Sequence, residues 1–185
     1  CQRPGRVDAA LLLAAASQRI ASNAAEAADS ARKAVDKCPG WAAALNLLGN
    51  ALQASGKLDE AADAYQRALH EVPDYDAARF NLGVLQLRRK DPAAIETFSK
   101  VLEQKPSYPD VYKSRAQAYL FQKRYAEGLA DLEQQLKSDP QDGTVWLMVG
   151  QLREQLKQKG ARDAYCEAAK RSIEAAVEPC KSAPR

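Results

Sequence analysis

A single histidine, four cysteines and a scatter of carboxylates are the residues of this chain whose side chains ordinarily carry chemistry. One histidine excludes most nucleophilic triads, histidine-rich metal sites and proton relays, since each needs a second imidazole or a partnered nucleophile. No glycine-rich phosphate loop, Gly-x-Ser-x-Gly elbow, Cys-x-x-Cys pair or His-Glu-x-x-His motif is present. The segment Asp139-Pro140-Gln141-Asp142-Gly143 resembles an oxygen-ligand loop but lacks the spaced carboxylates and closing glutamate that calcium requires. Asp59, Glu60 and Asp63 stand before Arg67 in the alternation of a solvated helix face, and His70 falls near a helix end. The expectation is a protein with no catalytic residues, no metal and no cofactor.

The elements that carry these residues are helical and soluble in character. Of 185 residues, 46% are hydrophobic and 28% charged, which suits a folded chain with a sizeable core. A net charge of +3, not clustered on one stripe, argues against a nucleic-acid partner. The densest basic run, Arg88-Arg89-Lys90, reads as a helix end, where cations complement the helix dipole. The longest apolar run is Ala9 to Ala16, far short of the ~18 residues of a membrane span.

Pro39, Pro73, Pro106 and Pro140 stand 34, 33 and 34 residues apart, and Pro179 follows 39 later. A fixed period of this size signals stacked repeats. Asn46-Leu47-Leu48-Gly49 recurs as Phe80-Asn81-Leu82-Gly83 and again as Trp146-Leu147-Met148-Val149-Gly150; Ala61, Tyr65 and Ala68 recur as Ala94, Phe98 and Val101. Apolar residues at three- and four-residue spacing predict amphipathic helices. Glycines inside helices imply close crossings, and each proline ends a second helix. Asp59 and Asp91 are expected to cap second helices.

These motifs resemble the tetratricopeptide repeat family, and in particular its bacterial lipoprotein members. The resemblance implies an all-α fold: a right-handed superhelical array of about five hairpins, ten helices in all. Its units are 8–41, 42–75, 76–108, 109–142 and 143–180, between a tether at 1–7 and a tail at 181–185. Gly128 stands where alanine is usual, and the fifth unit runs five residues long with no clean second-helix pattern. The resemblance also implies a concave groove lined by the first helix of each hairpin, binding a peptide or helix of a partner protein. The inward positions carried over include Leu12, Ala16, Arg19 and Ile20, then Asn46, Asn50, Phe80, Val84, Leu87, Lys113, Gln117, Leu120 and Phe121. The apolar members form the expected docking patch, with Asn46, Asn50 and Lys113 placed to bond a peptide backbone. The competing reading packs Leu87, Leu120 and Phe121 into the hairpin junctions. Asn50 and Asn81 fall where chaperone-tail-binding relatives hold a carboxylate, but Asn46, Asp110 and Ser114 replace the basic clamp residues, so no clamp is expected.

Cys1 admits three accounts: lipidation after processing, a disulfide to Cys38, or an arbitrary segment boundary. Cys166 and Cys180 could pair if the last helix ends early or the tail folds back. An unbroken helix from Cys166 to Val177 would rise about 16 Å, which three more residues cannot return. The resulting expectation is an adaptor of the bacterial envelope or pilus machinery, a lipoprotein on the periplasmic side of the outer membrane. Two alternatives stand beside it: a cytoplasmic location, and a structural subunit whose alanine-rich first hairpin docks permanently in a larger complex.

Overall fold

The computed structural model describes residues 3–182, with side chains from Asp8 onward. It is all-helical over those residues: α1 (Arg3–Arg19), α2 (Ala24–Lys37), α3 (Ala42–Ala54), α4 (Leu58–Glu71), α5 (Asp76–Arg88), α6 (Ala93–Gln104), α7 (Val111–Phe121), α8 (Tyr125–Ser138), α9 (Gly143–Gln155), α10 (Ala161–Lys170) and α11 (Val177–Ser182), with a 3-10 turn at Glu174–Ala176 before α11. The chain divides into two compact units, Cys1–Arg89 and Lys90–Arg185, at the turn after α5. In the first unit α1 to α5 pack each on the next; in the second, α6 to α11 do the same.

The second helices are strongly amphipathic and bury small residues in a fixed pattern. Helix α4 buries Ala61, Ala64, Tyr65 and Ala68, and α10 buries Ala161, Ala164, Tyr165 and Ala168. A Cβ on Gly49 would lie 2.6 Å from Tyr65 Cδ1, and one on Gly150 would lie 2.7 Å from Tyr165 Cδ1. Glycine is therefore required at both crossings because a tyrosine ring occupies the space a side chain would take.

The turns inside the second to fifth hairpins share one backbone device. Gly56, Lys90, Lys123 and Lys157 all adopt left-handed angles, with φ of 78°, 56°, 59° and 53°. Capping is less regular than the aspartates suggest. Asp91 Oδ1 accepts the Ala93 amide at 2.9 Å. Helix α4, by contrast, starts at an uncapped Lys57, and Asp59 instead takes the Arg89 guanidinium at 2.7 Å.

Helix α1 begins at Arg3, inside the segment 1–7. Pro4 is tolerated there because the first amides of a helix have no partner within it. The second helix of the fifth unit, α10, ends at Lys170; Ser172 takes φ 63° and turns the chain back. Pro179 closes no repeat. It lies in the first turn of α11, where a missing N–H costs nothing.

Candidate functional site

The first unit holds an apolar groove of about 510 Å³ between α1, α3 and the start of α5. Leu13, Trp41, Leu47 and Tyr75 supply its walls. Ala10, Ala14 and Ala43 leave the space open, and Ser17 and Asn46 are its polar members. No lining residue carries a formal charge at neutral pH. Burial pushes the Tyr75 phenol above its ordinary pKa. Trp41 and Tyr75 are the residues before α3 and α5, each two positions after a repeat-closing proline, Pro39 and Pro73.

Behind this groove lies a neutral amide network. Asn81 Nδ2 donates to Asn46 Oδ1 and to Asn50 Oδ1, both at 2.9 Å. The Tyr65 hydroxyl donates to Asn50 Oδ1 at 2.8 Å, with Gln53 Oε1 as a second acceptor at 3.2 Å. Asn46 is only 9% exposed. The Asn50 carboxamide oxygen thus already serves the protein's own donors. On α5 of the same unit, Phe80, Val84 and Leu87 are half-buried.

The second unit holds two half-buried ion pairs. Arg115 grips Asp131 through Nε at 2.8 Å and Nη2 at 2.7 Å, and donates to Ser99 Oγ through Nη1 at 2.9 Å. Its guanidinium lies 5.9 Å from the Tyr112 ring and 5.8 Å from the Tyr119 ring. The hydrogen bonds to Asp131, only 6% exposed, raise the Arg115 pKa against its own desolvation. Lys113 Nζ contacts Asp142 at 2.6 Å and Thr144 Oγ1 at 3.1 Å. Burial works to raise the Asp142 pKa, but bonds from Lys113, Thr144 and the Val145 amide hold it below the ordinary value. Asp142 is at the same time the N-cap of α9, so the suspected oxygen-ligand loop is a repeat boundary. The Tyr165 hydroxyl donates to Glu154 Oε2 at 2.6 Å; desolvation and that carboxylate both raise its pKa.

The sequence-derived positions fall as follows. Leu120 is not open groove surface: it packs into the core of α8 and α9, and its Cδ1 would meet a Cβ on Gly128 at 2.7 Å. The glycine that replaces the usual alanine makes that room. Lys113 is paired with Asp142. Phe121 is exposed, at 53%, with Lys90 Nζ 5.3 Å from its ring centre. Gln117 is half-buried on α7. On α1, Ala16 is buried and Leu12 packs on the core, while Ala10, Leu13, Ala14 and Ser17 face the groove. Asn46 and Asn50 are brought together, through Asn81. Phe80, Val84 and Leu87 belong to one unit, and Lys113, Gln117, Leu120 and Phe121 to the other.

Cys166 and Cys180 form a disulfide with Cα atoms 4.7 Å apart, made possible by the early end of α10. Cys38, buried at the end of α2, is also disulfide-bonded. Cys1, with its expected lipid, lies outside the described residues. Among the described residues no cluster of three or more potential ligands could hold a metal, and no helix is long and apolar enough to cross a membrane.

Hairpins of this period, with glycine–tyrosine crossings and closing prolines, find their match in sequence. Models of the tetratricopeptide repeat fit residues 46–109 and 92–152. The chain belongs to the tetratricopeptide repeat family. Its fold is similar to that of MamA, residue 41 to the end, from Desulfovibrio magneticus RS-1, at 17% identity over 90% of this chain and 97% of that one, TM-score 0.81. It is also similar to YrrB, described as a tetratricopeptide protein with an unusual peptide-binding site, at 16% identity over 94% and 92%, TM-score 0.77. At these identities the likeness is one of fold. The tetratricopeptide pattern pointed to the amide positions, while Trp41, Tyr75, Leu13 and Leu47 were missed. The signal that could have found two of them is the aromatic residue after Pro39 and Pro73.

Proposed function

We propose that this tetratricopeptide protein is a non-catalytic adaptor that seats apolar side chains of a partner's peptide or helix in the α1–α3–α5 groove. The observation that carries this reading is the uncharged lining of that groove. An apolar guest there buries no charge, and a groove walled by Trp41 and Tyr75 supplies the aromatic anchors that dominate binding energy. Asn46, Asn50, Phe80, Val84 and Leu87 extend the proposed surface within the first unit; Gln117 and Phe121 are its counterparts in the second.

The test is a peptide-display selection on the purified protein. Enriched peptides should carry aromatic or aliphatic anchors and should bind Ala14→Arg at least tenfold more weakly. Ala14 is exposed, so this change fills the groove without removing core. Peptides that bind Ala14→Arg and the parent equally would overturn the assignment.

We further propose that the protein works in an oxidising compartment such as the bacterial envelope, a reading supported by the Cys166–Cys180 bond. Service to the outer-membrane or pilus machinery belongs to the same proposal; a lipid thioether on Cys1 would use the sulfur that a bond to Cys38 also needs, so the anchor and a Cys1–Cys38 disulfide are alternatives. Intact mass of the mature protein tests the anchor: added acyl mass upholds it, and a mass that changes only by the protons gained on reduction removes it.

A further inference from the structure

Helix α10 carries α11 where α4, α6 and α8 carry the first helix of the following hairpin. Unlike those helices, α11 has six residues and buries none of them. A helix that short is not stable alone in water. Its anchors are few. Ala176, just before it, is fully buried, Arg162 Nε donates to the Cys180 carbonyl at 2.9 Å, and Cys180 packs with Ala161, Tyr165 and Leu147. The remaining tie is covalent, the bond from Cys180 to Cys166 on α10. Both cysteines are half-buried, so neither is sealed in the core.

We propose that the Cys166–Cys180 disulfide is a redox latch on the helix seat of α10. Oxidised, it holds α11 over Ala161, Tyr165 and Leu147 and closes the end of the array. Reduced, it lets α11 leave and bares that apolar face. The chemistry is ordinary thiol–disulfide exchange. One thiolate of a dithiol attacks a sulfur of the pair, giving a mixed disulfide and releasing the other cysteine. The second thiolate then displaces the remaining cysteine. Two electrons pass to the protein bond, each cysteine sulfur gains a proton, and the dithiol leaves as its own disulfide.

Hydrogen exchange on the full chain tests the latch, under oxidising conditions, with dithiothreitol, and on Cys180→Ser without reductant. Backbone amides between 174 and 182 are expected to exchange at least tenfold faster in the reduced protein and in Cys180→Ser. Protection in α9 and the start of α10 should be retained, and anilinonaphthalene sulfonate fluorescence should rise. Cys38→Ser, without reductant, should keep α11 protected, separating this bond from the other reducible site. Three results would overturn the proposal: unchanged protection of 174–182 on reduction, loss of protection throughout α9 and α10, or two alkylatable thiols at Cys166 and Cys180 in the oxidised protein.

Discussion

Helices α4 and α10 bury the same residue types at the same spacing, and each sets a tyrosine against a glycine one helix earlier. Their polar ends differ. Tyr65 meets carboxamides that reach Asn81, whereas Tyr165 meets the carboxylate of Glu154. The same contrast runs through the units. The first backs its groove with neutral amides, and the second holds the charged pairs Arg115–Asp131 and Lys113–Asp142. Apolar packing in a repeat is thus fixed by the crossing, while the polar groups around it are free to specialise. One unit has an uncharged opening; the other holds two half-buried ion pairs.

The largest test removes Arg115. Arg115→Ala strands the buried Asp131 carboxylate and should cost about 3–5 kcal/mol. Replacing the pair together by Arg115→Met and Asp131→Leu should recover most of that. The two tryptophans, Trp41 and Trp146, fall one in each unit, so single-tryptophan variants report each by fluorescence during urea unfolding. The loss should be confined to Trp146; an equal loss at Trp41 would break the contrast.

Gly49→Ala and Gly150→Ala should be destabilising in equal measure, by roughly 1–3 kcal/mol each, because overpacking against a tyrosine ring outweighs the gain in helix propensity. A tolerated alanine at either site would show that the shared crossing is not shared.

Removing the hydroxyls separates the units next. Tyr65→Phe should cost about 1 kcal/mol and Tyr165→Phe about 1.5–3 kcal/mol, since a charged acceptor is left without its donor. Because folding raises the Tyr165 pKa, its contribution is complete below the free phenol's pKa and is lost as pH rises beyond it. Tyr165→Phe should accordingly flatten the alkaline limb of stability.

The smallest effect belongs to Asp142, whose pKa is lowered on folding. Its contribution is present above the unfolded carboxylate's pKa and lost as pH falls through the folded one. Asp142→Asn keeps an acceptor for the α9 cap and should shallow the stability loss below about pH 4. An unchanged acid limb would show that Lys113 adds nothing to the cap.

Most of the fold is legible because period and proline spacing fix it. The misreadings have physical causes. Pro179 matched the period loosely and hid the end of α10, which a left-handed Ser172 sets and no proline marks. On α1, alanine and leucine occur on every side, so composition does not say which face is buried; Leu11 is 67% exposed while Ala9 and Ala16 are fully buried. That ambiguity put Leu12 in the groove instead of Leu13. Of the two readings of Leu120, packing is the one the structure favours, because Gly128 on another helix leaves room for its side chain, an absence of atoms that spacing on α7 cannot reveal.

The left-handed turns bear on how readily such a protein can change. Gly56 meets the angle without strain, but Lys123 and Lys157 carry a Cβ where the backbone disfavours one by roughly 1–2 kcal/mol. Glycine at either position would relieve that strain, less the ~0.4–1 kcal/mol of freedom it adds to the unfolded chain. Lys90, at the corresponding turn, has a compensating role against the Phe121 ring. Two neighbouring hairpins of the second unit therefore sit short of their stability optimum at positions that do not line the first unit's groove. Glycine there would raise the array's mutational tolerance, letting groove residues vary through destabilising intermediates while the scaffold stays folded.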